Sequence, residues 1–176
     1  MNELMGHHTS GSSRELNAVI RIVLVRPGQA RNIGAVIRAA ANFSAESVRI
    51  VSPAEWSPEA QREARVASSG AWELVDVQVH SDLPEALVGC QAIVGTSVRQ
   101  RKHVSMPQTP EQLFAAPSRG LTSVVFGPES QGLSSDELDL CQKWLRIPTN
   151  PEFPSLNLAQ AVLLVLYEAH RCQPLA

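Results

Sequence analysis

Three short stretches carry side chains able to handle a polar ligand. In "RNIGAVIRAA", Asn32, Gly34 and Arg38 stand at the spacing Asn-x-Gly-x-x-x-Arg. An asparagine amide offers both a donor and an acceptor, glycine admits close backbone approach, and the planar arginine fork suits phosphate oxygens. In "VVFGPESQGLS", Gly127 and Gly132 bound a loop with Glu129 at its centre. In "IPTNPEFPSLNLAQAV", Ile147 and Pro148 lead past Pro151 to Pro154, Ser155, Leu156 and Asn157. Prolines lower the entropy of such a loop and leave fewer backbone donors to satisfy, which suits binding through main-chain groups. A fourth stretch, "GTSVRQRKH", sets Thr96, Ser97 and Val98 before Arg99, Arg101, Lys102 and His103. Thirteen of the fifteen basic residues are arginine. Both a nucleic-acid contact and a solvated loop are compatible with that cluster.

Several familiar chemistries are excluded. The turn "RPGQARNIGAVIRAA" has no GxGxxG, and the strand after it ends in Ser52-Pro53 rather than in an acid that could hold a ribose. No GK[ST] is present, so a phosphate loop is ruled out. Cys90, Cys141 and Cys172 form no CxxC pair, which argues against a metal site and reads as small buried apolar residues in a reducing compartment. His7 and His8 lie in a polar stretch of small residues and read as incidental.

Elements must bring these stretches together. "AVIRIVLV" reads as a strand over 18–25, and the spacing of Ile33, Ile37 and Ala40 predicts a helix over 32–43 with Asn32 as its N-cap. Arg38 lies six residues beyond Asn32, about 240° net around the helix, so it leaves that face but can lean back along the axis. Strands are expected at 47–51, 74–79, 92–96, 122–127 and 144–147. Helices are expected at 58–69, 84–88, 110–115 and 134–142, the last opened by a Ser134/Glu137 capping box. The chain then finishes on a helix whose residues are apolar on nearly every side, with Ser155 placed to cap it. Alternating strands and helices predict an α/β fold with a largely parallel sheet flanked by helices.

With 176 residues, 44% hydrophobic content and a net charge of −2, the chain reads as one domain able to bury a core without disulfides. Residues 1–16 are expected to form a disordered tail and 17–173 the domain. No signal peptide is visible, and the most apolar run, 156–166, contains Asn157 and Gln160 and falls short of the ~18 residues a membrane span needs. A cytoplasmic location and no membrane partner are therefore expected.

Taken together and in this order, "RNIGAVIRAA", "VVFGPESQGLS" and "IPTNPEFPSLNLAQAVLLVLYE" resemble the three motifs of the SpoU/TrmH branch of the SPOUT RNA methyltransferases. The likeness runs from about Val19 to Arg171, and "GTSVRQRKH" with "PTNPEFPSLNLAQAV" is most similar to the TrmJ-like subgroup of tRNA ribose 2′-O-methyltransferases.

That resemblance implies a C-terminal trefoil knot, a homodimer formed through the last helix, and S-adenosyl-L-methionine as cofactor, with no metal. It implies a cofactor pocket made by Thr96, Ser97, Val98, Gly127, Glu129, Gly132, Ile147, Pro148, Pro154, Ser155, Leu156 and Asn157. Asn32 and Arg38 would face the ribose, with Glu129 and Ser155 nearby, as the catalytic set. A guanidinium with a pKa above ~12 scarcely deprotonates, so orienting a 2′-hydroxyl and its neighbouring phosphate suits Arg38 better than acting as a base. The implied substrate is tRNA, at its anticodon loop. Ribosomal RNA, or an RNA- or cofactor-binding module without turnover, remain the alternatives. Relatives of the subgroup commonly continue into a C-terminal RNA-binding extension, whereas this sequence stops at "CQPLA".

Overall fold

A computed structural model describes residues 19–97, 106–115 and 120–172. The expected tail, Val98 and the cluster from Arg99 to His103 lie outside the described residues. Six parallel strands form one sheet in the order β3-β2-β1-β5-β4-β6: β1 Val19–Val25, β2 Ser47–Val51, β3 Asp76–His80, β4 Ala92–Thr96, β5 Leu121–Phe126 and β6 Lys143–Leu145. Ile22 pairs with Val48 on one side and Val124 on the other, so β1 sits at the centre. The central strands are buried on both faces, and their near-continuous Val/Ile/Leu runs are what that position demands.

Helices α1 Ala30–Asn42, α2 Pro58–Ser68, α3 Leu83–Ala86, α4 Pro110–Ala115, α5 Ser135–Asp139 and α6 Leu158–Cys172 complete the fold. One face of the sheet carries Ile22, Leu24, Ile50, Val124 and Phe126 against Ile33 and Ile37 of α1 and Val162 and Val165 of α6. The other carries Val23, Val25 and Val125 against Leu83, Leu133 and Leu138. Gly34 permits the closest helix contact: a Cβ there would lie 2.2 Å from the Ala64 carbonyl oxygen of α2. Its small size serves helix packing rather than a ligand. Among the described residues no helix is long and apolar enough to cross a membrane.

The structure departs from several of these expectations. α1 begins at Ala30 with Gln29 as N-cap and no side-chain cap bond, so Asn32 lies inside the first turn. α6 is capped by Asn157, whose Oδ1 accepts from the N–H groups of Ala159 (2.9 Å) and Gln160 (3.3 Å), and Ser155 stays outside the helix. α5 is much shorter than expected, though its capping box is present. The cysteines are half-buried and unpaired rather than fully buried. Burial, and then the nearby Glu137 carboxylate, pushes the Cys141 thiol up to about 11.

On the α3 side of the sheet two buried arginines interrupt the apolar strands, which periodicity alone does not explain. Arg21 donates to the carbonyls of Ala86 (3.1 Å) and Val88 (3.0 Å), which closes the end of α3. Arg49 donates to Asp76 Oδ2 at 2.7 Å.

Candidate active site

In a parallel sheet every strand delivers its C-terminal end to the same edge, where ligands bind. Here the exits of β4, β5 and β6, with the proline-rich loop and the start of α6, enclose a cavity of about 490 Å³. Thr96 and Ser97 line it from β4, Gly127 to Leu133 from the loop after β5, and Leu145 to Ile147 from β6. Pro154, Ser155 and Leu156 close it from the proline-rich loop, and Leu158 and Ala161 from α6. The volume falls in the range of small-molecule sites, and the lining combines apolar walls with a few polar groups, as such sites do.

The loop after β5 owes its tight base to Gly127. A Cβ on that residue would lie 2.3 Å from the carbonyl carbon of Gly132 and from the Leu133 nitrogen. Gly132 itself has φ +69°, a conformation that favours glycine.

A polar network at the rim joins all three motif stretches. Glu129 accepts from the Asn32 Nδ2 at 2.7 Å and from the Gly28 N–H at 3.2 Å. The Asn32 Oδ1 in turn accepts from the Asn157 Nδ2 at 3.1 Å. Asn32 is 8% exposed, so its amide is spent on these two partners rather than on solvent. Displaced from the N-cap, it becomes the link between the acidic loop and the entrance of α6.

Just past the end of the loop after β5, Glu137 of α5 accepts from both guanidinium nitrogens Nη1 and Nη2 of Arg26 and from the Ser134 N–H at 2.8 Å. Burial pushes the Glu137 carboxyl up, yet those hydrogen bonds outweigh it and hold the group below its ordinary value. The same bond raises Arg26.

Of the expected pocket residues, Thr96, Ser97, Gly127, Glu129, Gly132, Ile147, Pro154, Ser155 and Leu156 line the cavity. Pro148 does not, and Asn32 and Asn157 meet it only through the rim network. Arg38 is not brought there. It is exposed on the outer face of α1, and its Nη1 donates to Ser69 Oγ of the α2 C-cap at 3.3 Å. Sequence reasoning missed Phe126, Leu133, Leu145, Arg146, Leu158 and Ala161, most of which read as ordinary core residues. Their only signal was position: at or just beyond a strand end, in the first turn of α6 or, for Leu133, at the end of the loop before α5.

Comparison with known proteins agrees with this geometry. Residues 19–167 match the SpoU rRNA Methylase family. A tRNA (cytidine/uridine/adenosine-2′-O-)-methyltransferase TrmJ of Pseudomonas aeruginosa is 39% identical over 155 residues, 85% of this chain and 59% of its own length. The chain thus spans well under two thirds of that relative. The crystal structure of TrmJ from Z. mobilis ZM4 is 39% identical with a TM-score of 0.75, over 88% of this chain and 70% of that one. The SpoU methyltransferase AviRb of Streptomyces viridochromogenes, solved with AdoMet, shares the fold at 23% identity and a TM-score of 0.69, over 88% of this chain and 60% of that one. With most of its length matched, and with all three motif stretches meeting at one edge of a parallel sheet, the chain belongs to the SpoU methylase family.

Proposed function

We propose that this chain is an S-adenosylmethionine-dependent ribose 2′-O-methyltransferase acting on tRNA, at the anticodon loop. The observation that carries the reading is the rim network, in which Asn32, Glu129 and Asn157 meet beside a cavity of small-molecule size. The cavity fits the cofactor by its chemistry: apolar walls at Leu133, Leu145, Ile147 and Leu156 suit a nucleoside, and the Glu129 carboxylate suits a cation. When bound, S-adenosylmethionine supplies an electrophilic methyl group on sulfur. The names of the TrmJ relatives support a tRNA ribose as acceptor.

In this reading Glu129 and Ser155 face the reacting ribose, and Asn32 keeps Glu129 aimed by donating to it. Arg38 contacts the RNA from outside the cavity. Its exposed side chain is tied by one long hydrogen bond and can turn to a phosphate without disturbing the core. Residues 17–173 form the methyltransferase domain, with the final segment threaded as a trefoil knot.

The test is incubation with labelled S-adenosylmethionine and separately purified tRNA and ribosomal RNA, followed by mapping of methylated riboses. Label in a tRNA anticodon-loop ribose is expected. Label confined to ribosomal RNA would redirect the substrate, and saturable cofactor binding with no transfer to either RNA would favour a binding module.

The same reading makes the protein a homodimer through α6. Leu158, Val162, Val165, Leu166 and Ala169 form the stripe buried within the chain. Leu163 (41% exposed), Leu164 (42%) and Tyr167 (49%) leave a second apolar strip facing outward. A helix apolar beyond its core-facing stripe calls for another apolar surface, and a second copy supplies one. Sedimentation should show a dimer at micromolar concentration, and Leu163→Glu with Leu164→Glu should give a folded monomer. A stable wild-type monomer would refute the interface.

A further inference from the structure

The segment leaving β1, Arg26-Pro27-Gly28, is held on one side and pulls on the other. Toward β2, the Arg26 N–H donates to the Val51 carbonyl at 2.8 Å, and the Pro27 carbonyl accepts from the Ala54 N–H at 3.2 Å. Toward the loop after β5, it makes two attachments that bracket the cavity-lining residues. The Gly28 N–H reaches Glu129 near the loop's start, and the Arg26 guanidinium reaches Glu137 with two nitrogens just beyond its end. Between those attachments lie Ser130, Gln131, Gly132 and Leu133, all of which face the cavity.

Arg26 also has φ +47°, a region that residues with a Cβ seldom occupy. Such conformations persist where the surroundings over-determine them, and they gather at sites where geometry matters. A strand exit asks for no arginine. A bidentate fork aimed at a carboxylate asks for one, because only that geometry fixes direction as well as charge.

We propose that Arg26 is a positioning residue: through Glu137 it holds the Gly127–Ser134 loop in the shape that the cofactor cavity requires. The proposal rests on the functional reading above for the identity of the ligand, but the holding of the loop stands apart from it. The Glu137 carboxylate also closes the capping box at Ser134, so the arginine sets the start of α5 and the loop's last turn together.

Arg26→Gly tests the idea, because it removes the ion pair and relieves the positive φ in one step. The melting temperature should change by only a few degrees. Amide hydrogen exchange at residues 130–133, measured without ligand, should quicken at least tenfold while amides of β1 and β5 keep their protection. The dissociation constant for S-adenosylmethionine should rise about tenfold, with turnover at saturating cofactor within about twofold of wild type. Arg26→Lys should recover only part of the affinity. The charge reversal Arg26→Glu with Glu137→Arg should recover more than either single change, which isolates the pair from its surroundings. Unchanged loop exchange in Arg26→Gly overturns the proposal, and so does a loss of affinity that merely follows the folded fraction. If wild-type protein fails to bind S-adenosylmethionine, the functional reading falls, and the exchange measurement alone decides for or against the positioning role.

Discussion

Arg38→Ala is expected to lower methyl transfer to RNA about a hundredfold, the scale of effect that loss of positioning produces, without weakening the fold or the cofactor site. The side chain is exposed and makes one 3.3 Å hydrogen bond to Ser69, so its removal leaves no buried group unpaired. It lines no part of the cavity, so affinity for S-adenosylmethionine should stay within twofold. What is lost is a flat, doubly donating cation for the RNA backbone, and Arg38→Lys restores the charge without the fork. Single-turnover methylation of tRNA beside thermal unfolding measures both quantities. A folded Arg38→Ala protein with wild-type single-turnover rates ends the assignment.

Asn32→Ala is expected to damage stability and chemistry together. The substitution deletes a donor to a carboxylate and leaves the Asn157 amide without its acceptor. Asn157 and Glu129 are exposed and can turn to water, so the cost is mainly the lost bond to a charged group, about 1.5 kcal/mol. For a domain of this size that corresponds to a melting point lower by roughly 3–6 °C. Below that transition, turnover should still fall by at least about tenfold, because Glu129 loses one of the two donors that aim it. Asn32→Asp is a sharper probe. It puts a second carboxylate beside Glu129, and two such groups resist joint ionisation. The Asn32→Asp protein should therefore be least stable at neutral pH and regain stability as acid protonates one of the pair. Wild-type turnover and stability in Asn32→Ala would show that the rim network is incidental.

The alternation of strands and helices was legible because each element carries its own pattern: β4 and α4 fall on the expected residues, and β2 does too. Strand order was not, since no local pattern tells β1 that its second neighbour is β5. The two cap assignments failed for one reason. Asparagine and serine rank high at N-caps, but Asn32 instead satisfies partners 97 and 125 residues away, and Asn157 does the capping expected of Ser155. Motif residues line one cavity, whereas Leu145 and Leu158, which line it too, carry the same types that fill any core. The Arg26–Glu137 pair was hidden because its two halves lie 111 residues apart, and each has a bland local explanation.

The hydrogen bond between Asn32 and Asn157 also says something about order of manufacture. At about 5–20 residues per second, a ribosome makes Asn157 roughly 6–25 seconds after Asn32. For most of that interval β1 lacks its β5 neighbour, and throughout it the apolar side of α1 lacks its α6 cover. In that interval α1 has β1, β2 and α2 to pack against, but not the helix whose entrance holds Asn157. A ligand of the cavity meets its full lining only once the last helix, which supplies Leu158 and Ala161, has been made.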